Sequence, residues 1–504
     1  MIEDSHVRRA GSAQPVAQAP LFTLRLQAEG PVRLCSAQPG VAVLPRALAA
    51  GLLLVCGALA ASGAAAHGTD QREEHKRVFD RTVNWPSGAR VCVDHSHGSV
   101  TLRTHPQSEV RVHADIRVSA ESLPEAEAFS KSIEIQVEET AASICVRTRY
   151  PETERGRRRR NFSFSVNYDI ALPEKAPLEV RNRFGSVSAT GISSASQIVN
   201  AHGRVTFTDS RGNHRIQNQF GAIEISNAAG DLEVTGNNGS VTISDARGAL
   251  ALRNRFGRVA LSRLGRAEVR NSNGAVELIG AETASLSNSF GSVVARDIRG
   301  NLTVRNENGR VEVEQVQGEA DLNTTFGNLS FRDVKQRVVV RNNNGAVSGS
   351  LVGGTATIRG SFGRVELSDV TGYAEVENSN GNITVRNLKA GAKLETSFGS
   401  IEATDIAGDA TVGTSNGRIV LRNVTGTAAI SNSFGRVEAY IIGKGARILS
   451  GNGPVLAGDI GGQLFVKTSF GSVQAERING QLTVENSNAS VQASGINGAA
   501  SVRT

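Results

Sequence analysis

Aromatic side chains are scarce in this sequence. Phe, Tyr and Trp make up 4% of 504 residues, with one Trp and one Met. A large conventional core packed with aromatic rings is therefore excluded. Charge of one sign is lacking too. The net charge is +7, and after Ala66 50 basic residues stand against 45 acidic ones, or +5 over 438 residues. That is too dilute to argue for a nucleic-acid partner. No apolar run reaches the ~20 residues of a comfortable membrane-spanning helix. Hydrophobic residues are still 39% of the chain, so composition gives no ground for disorder.

Cysteines number four. Cys35 and Cys56 precede Ala66, and Cys92 and Cys145 follow it in strand-like runs. No Cys/His spacing resembles a zinc site. An even pair in an oxidising compartment predicts a Cys92–Cys145 disulfide, with two buried free thiols as the alternative.

The compartment is inferred from Ala47 to Ala61, a run of fifteen small and apolar residues with Arg46 before it and Ala64-Ala65-Ala66 after it. A basic flank, a short apolar core and a small-residue site read as a secretory signal cleaved after Ala66. Two alternatives stay open: an uncleaved signal anchor, and a lipoprotein attached through Cys56. Export to the periplasm, the cell surface or the medium is expected. Residues 1–40 carry no signal pattern, and a start near Val41 or Val43 would account for that.

What the sequence does have is a period. Phe-Gly pairs begin at Phe184, Phe220, Phe256, Phe290, Phe326, Phe362, Phe398, Phe434 and Phe470, spaced by 36 residues except for one interval of 34. Midway lie His202-Gly203, Asn238-Gly239, Asn308-Gly309, Asn344-Gly345 and their equivalents. The structural unit is about 18 residues, used in pairs, and a fixed period marks a solenoid. Within Leu302–Gly318, apolar residues alternate on each side of Asn308-Gly309, which is strand period. The Gly bends the chain there, and a second one such as Gly318 turns it toward the next unit. With no helix between strands, each strand can pair only with its equivalent one unit later.

The expected fold is all-β: a single-stranded parallel β-solenoid of about eighteen 18-residue rungs, about 85 Å long at the usual strand spacing. The domain order is 1–66 extension and signal, 67–180 β-rich cap, 181–504 solenoid. The nine Phe are read as a stacked column inside the core, from the parity of Phe326 with Leu322 and Thr324. Asn182, Asn200, Asn218 and their equivalents are read as a buried amide ladder, with Thr324, Thr396, Thr414 and Thr468 substituting.

Before the solenoid, His95-Ser96-His97-Gly98-Ser99-Val100 copies a rung with His for Asn. Ser122–Ser132 reads as a short helix capped by Ser122, and strands are expected near 133–138, 143–149 and 163–171. His95, His97, His105 and His113 are close in sequence, but two of them occupy rung columns and no ligand spacing supports a metal. The loop carrying Arg155, Arg157, Arg158, Arg159 and Arg160 is a candidate contact for an anionic ligand such as lipid headgroups or polysaccharide.

Three stretches carry a family resemblance: Ala89-Arg90-Val91-Cys92-Val93 with Gly98-Ser99-Val100, Val166-Asn167-Tyr168-Asp169-Ile170-Ala171-Leu172-Pro173, and Val180-Arg181-Asn182-Arg183-Phe184-Gly185-Ser186-Val187. They resemble the widespread bacterial "putative adhesin" family, whose function is unassigned. The resemblance covers about 80–504 and implies an exported or envelope-attached β-solenoid with no catalytic residues to carry over.

A non-enzymatic binding or structural rod is the expected function, contacting envelope polysaccharide or a protein partner, with no cofactor. A scaffold for a protein partner is a variant of it. The alternative is a polysaccharide lyase or hydrolase, which would need a cleft built on loop insertions; none breaks the period after 181. An ice-binding reading fails for want of a consistent Thr-x-Thr rank. Arg204, Arg258, Arg310, Arg364 and Arg418 follow the turn Gly, but Glu312, Glu366 and, beside Arg436, Glu438 make this an ordinary mixed surface. Open strand edges at a rod end also predict end-to-end self-association.

Overall fold

The computed structural model describes residues 72–151 and 162–504. The signal segment and the arginine-rich loop lie outside them.

The described residues form β1 (Glu73–Asn84), β2 (Arg90–His97), β3 (Val100–His105), β4 (Glu109–Ala120), α1 (Leu123–Ser132), β5 (Glu134–Glu139), β6 (Ser143–Arg149), β7 (Ser163–Pro173), β8 (Leu178–Phe184) and β9 (Val187–Thr190), then a long run of short strands to Arg503. β2 and β3 are the first turn of a solenoid. They pair in parallel with β8 and β9, the second turn. On the other side they pair in parallel with β6 and β7, onto which β5 and β4 fold back antiparallel, with β1 antiparallel to β4. Helix α1 packs against β1 and β4. Ser122 stands at its N-cap in extended conformation but makes no capping bond. Glu73 does so instead, accepting from the Leu123 N–H at 2.6 Å.

From Leu178 onward the fold is a parallel β-solenoid of about eighteen turns. Like pairs with like one turn later: Val304 with Leu322, Val313 with Phe331, Asn306 with Thr324. Each turn places six side chains inside, as Leu302, Val304, Asn306, Val311, Val313 and Val316 do. The 34-residue interval is two turns of 17 residues, whose strands run through the shortened corner as Val259–Asn273 and Val276–Phe290.

Three corners close each turn. At the first, Gly309 has φ +133, and a Cβ there would sit 2.2 Å from the carbonyl oxygen of Gly291 one turn earlier. The glycine is thus required twice, by its φ and by the backbone stacked on it. The second corner was not read from the sequence. It is a left-handed residue inside the second strand, usually Asp or Asn: Asp209, Asn227, Asp245, Asp297, Asp333, Asp369 and their equivalents have φ between 51° and 60°. Short polar side chains tolerate this region best, and the 18-residue Asp/Asn spacing was the available signal. These residues also bond along the rod, Asn227 Nδ2 to Asp209 Oδ1 at 2.7 Å and Arg263 to both oxygens of Asp245 at 2.6 Å. The third corner carries glycines such as Gly318.

The inner column of nine Phe is overturned. Phe184 is 40% exposed and Phe470 64%, with the other seven between. Alternation holds through Thr324, which is buried, but the ladder skips Thr325 before resuming at Phe326. The chain is already bending toward Gly327, so counting by twos fails and the ring is turned outward. The interior is also too narrow for such a column. Phe331 is inside, and the equivalent residue one turn on is Gly349, where a Cβ would lie 2.0 Å from the Phe331 ring.

Cys92 and Cys145 are directly opposite in β2 and β6, 4.5 Å apart at Cα, and joined by a disulfide. The link closes a loop of 53 residues, for which chain entropy gives about 4 kcal/mol of stabilisation. Reductant, or Cys92→Ser with Cys145→Ser, is expected to lower the melting temperature of the region before Leu178 and raise its hydrogen exchange, leaving exchange beyond residue 300 unchanged.

Gly327→Ala is expected to cost about 1–3 kcal/mol in urea unfolding, because φ is +142 and a Cβ would meet the Gly309 carbonyl at 2.2 Å. Gly413→Ala, whose Cβ would meet nothing nearer than 3.8 Å, is expected to leave the midpoint unchanged or raise it.

Candidate functional site

The exposed Phe residues form one surface stripe. Register aligns each of them up to Phe434 with an Asn or His one turn away: Phe184 with His97 and His202, Phe220 with His202 and Asn238, Phe326 with Asn308 and Asn344. Phe rings therefore stand on every second turn, ~9.6 Å apart at twice the strand spacing. The stripe is one residue wide. The residues before the rings are polar, among them Thr325, Ser361, Ser397 and Ser433, and glycine follows each ring.

At its first turns the stripe is a closed stack. Phe184 and His202 have ring centres 5.0 Å apart, and His202 and Phe220 4.8 Å apart, with planes within 12° and 2°. Rings this close and this parallel overlap face to face, since side by side in one plane they would collide. Each ring thus turns a face, in an offset stack, toward the ring of the next turn. His97 extends the stack at 5.3 Å from Phe184, and Arg183 and Arg255 lie over the rings of Phe184 and Phe256. A shallow polar groove lined by Asp94, Arg181, Arg183, Gln217 and Asn237 runs beside it.

The Asn residues between the rings are exposed or half-buried. The amides of Asn308, Asn344 and Asn488 donate to the carbonyls of Ser289, Thr325 and Ser469 one turn back, at 3.4–3.5 Å. Beneath the stripe lies the buried amide column. It is a ladder only in places, as Asn254 to Asn271 to Asn288 at 3.1 and 2.9 Å. Elsewhere most amides bridge two corner carbonyls, as Asn342 Nδ2 reaches Gly327 and Gly345 at 3.1 Å each. Thr396 and Thr414 do the same with one bond.

Among the described residues no group of three or more His, Cys, Asp or Glu is placed to hold a metal. His95 is buried in the amide column, its Nδ1 3.0 Å from Thr148 Oγ1, and burial lowers its pKa to about 4. His214 replaces a core Leu, bonds Ser196 Oγ at 2.8 Å, and is lowered by burial to about 4 as well. His113 is exposed and raised by its bond to Asp80. Arg155 and Arg157–Arg160 lie outside the described residues. The arginines after the turn Gly find acids: Arg204 with Glu224, Arg258 with Glu277, Arg364 with Glu366, and Arg418 and Arg436 with Glu438. Glu312 pairs with Arg296 rather than Arg310. The exposed pairs among these contribute ~0–1 kcal/mol each; Glu438 is buried beneath its arginines.

The fold is that of a parallel β-solenoid repeat protein. No family model and no curated protein matches the chain. Solved structures similar to it include a "putative cell adhesion protein" from Clostridium sporogenes, at 11% identity over 55% of this chain and 99% of that one, with a TM-score of 0.15. A "putative adhesin" from Bacteroides fragilis has 15% identity over 60% and 97%, TM-score 0.13. Another from Parabacteroides merdae has 9% identity over 71% and 96%, TM-score 0.15. These descriptions coincide with the family resemblance of the sequence; no residue role or partner is carried from them.

The two buried histidines predict an acid-sensitive fold. Both are neutral when buried, while unfolded His titrates near 6.5. Their folded pKa is depressed, so the stabilisation is present above pH 6.5 and is lost as pH falls from 6.5 through about 4. The cost is about 3 kcal/mol for each. The urea midpoint at pH 4.5 is expected well below that at pH 7, and His214→Leu, matching Leu232 one turn on, is expected to remove roughly half of the difference.

Proposed function

We propose that this chain is an exported, non-enzymatic adhesive rod of the cell envelope, whose contact surface is the Phe/Asn stripe. The observation that carries this is the outward Phe column. Nine rings held at 40–64% exposure in one line add nothing to the core and expose apolar area that soluble surfaces otherwise avoid. A row of identical contacts on a rigid support suits an extended partner, because each turn repeats the same weak interaction. The secretory reading of Ala47–Ala66, the disulfide and the family resemblance agree with export. The uniform turns agree with binding rather than turnover.

The test is binding of the purified chain to intact envelopes and to an array of envelope and extracellular polysaccharides. Phe326→Ser, Phe362→Ser and Phe398→Ser together are expected to weaken binding roughly 100-fold, at about 1 kcal/mol for each ring contact. The circular dichroism should stay that of the parent, since these rings lie outside the core. Unchanged binding by a folded triple variant overturns the proposal.

A further inference from the structure

The geometry points to a second copy of this chain as the partner of the stripe: two rods pair side by side, the Phe rings of each entering the gaps between the Phe rings of the other. The inference rests on the stripe being the contact surface.

His202 is the evidence that a ring fits. It occupies the position that is Asn in the following turns and fills the gap between Phe184 and Phe220, at 5.0 and 4.8 Å from their centres. Both distances are ordinary for stacked aromatic pairs. The nine Phe define eight gaps, and in the seven after Phe220 the residue between is Asn. Asn is shorter than His and lacks a ring. Asn308 and Asn344 are moreover tied back by their amides to the preceding turn. Those gaps are therefore slots, each one ring thick and floored by an amide, with the Arg255 guanidinium over Phe256 at one of them.

What would fill a row of such slots must present flat apolar groups at the same ~9.6 Å interval. A second copy does so by construction, with no accumulating mismatch along the rod. The surface is self-complementary, which a two-fold dimer requires. The area is adequate: seven rings in the seven slots, about half exposed at 150–250 Å² each, bury about 1,400 Å² over two copies, within the range of a stable interface. The polar borders, Thr325, Ser361, Ser397 and Ser433 beside the rings, supply the rim that surrounds an interface core. A glycan strand is the competing occupant, and a stripe one residue wide would also suit it. Nothing in the row fixes a sugar repeat, however, whereas His202 fixes the slot at a ring's width.

The experiment is sedimentation velocity of the purified full chain over a concentration series, with three proteins. The parent is expected to dimerise. Phe326→Ser with Phe362→Ser and Phe398→Ser is expected to be monomeric, with a dissociation constant raised at least 100-fold. Asn344→His with Asn380→His copies His202 and fills two slots from within. It keeps every Phe, and is expected to weaken pairing at least tenfold with the dichroism unchanged. A monomeric parent at every concentration overturns the inference, as does a dimer indifferent to either variant. If the parent is monomeric while its binding to envelopes or glycans still falls with the Phe changes, the stripe remains the contact surface and only its partner is wrong. If neither self-association nor envelope binding responds, both readings fall.

Discussion

Everything in this molecule depends on one constraint: each residue is stacked on its equivalent 18 positions earlier, at the spacing of hydrogen-bonded strands. Where the backbone of one turn lies directly on that of the next, there is no room for choice. The corner glycines show it most plainly, since a Cβ on Gly309 or Gly327 would lie inside the neighbouring glycine's carbonyl. The requirement at one turn creates the requirement at the next. The same stacking lets Asn342 bridge the carbonyls of two successive corners, turning groups that the bend leaves unpaired into a bond along the rod.

That constraint also sets the diameter. With six inward side chains per turn, the interior holds mainly Val, Leu, Ile and Ala, and the two Phe inside each lie against a small residue of an adjacent turn, Phe207 against Ala189 and Phe331 against Gly349. Phe184, Phe220 and their equivalents are consequently on the outside. Scarcity of aromatics was a correct sign of a narrow core. The sequence-level reading then placed nine of the seventeen Phe where that core has no space.

The fold was legible because repetition multiplies a weak signal. One Asn-Gly is a turn in any protein, whereas Asn-Gly and Phe-Gly alternating for nine periods define the stacking register. Cap strands β5, β6 and β7, helix α1 and the Cys92–Cys145 pair were legible from local pattern, whereas β1 and β4 were not read. Two things were not. Parity puts Phe326 inside only if the strand runs unbroken to Gly327, but the bend begins at Thr325, two residues sooner. Alternation says which face a residue takes only while the ladder continues, and glycine marks a corner without saying where the strand ends. The left-handed corner at Asp333 or Asp369 was hidden because those residues sit inside strands, where polar residues read as outward-facing members of the alternation. Their bend, made without a glycine, shows in the hydrophobic pattern only as one step of three among steps of two, as from Val313 to Val316.

The alternation of Phe with Asn has no origin in the stacking itself. Backbone pairing requires only that each turn resemble the next, and the buried positions obey that with a period of one turn. The stripe has a period of two. A column of Phe at every turn would close upon itself, as Phe184, His202 and Phe220 do at about 5 Å, and would offer only the edges of rings. Removing every second ring opens faces that stacking would otherwise consume, and the short amide left behind keeps the floor polar and fixed. A surface that forgoes its own internal aromatic contacts at seven positions in succession, while keeping them at its first turns through His97 and His202, is organised to make those contacts with something else.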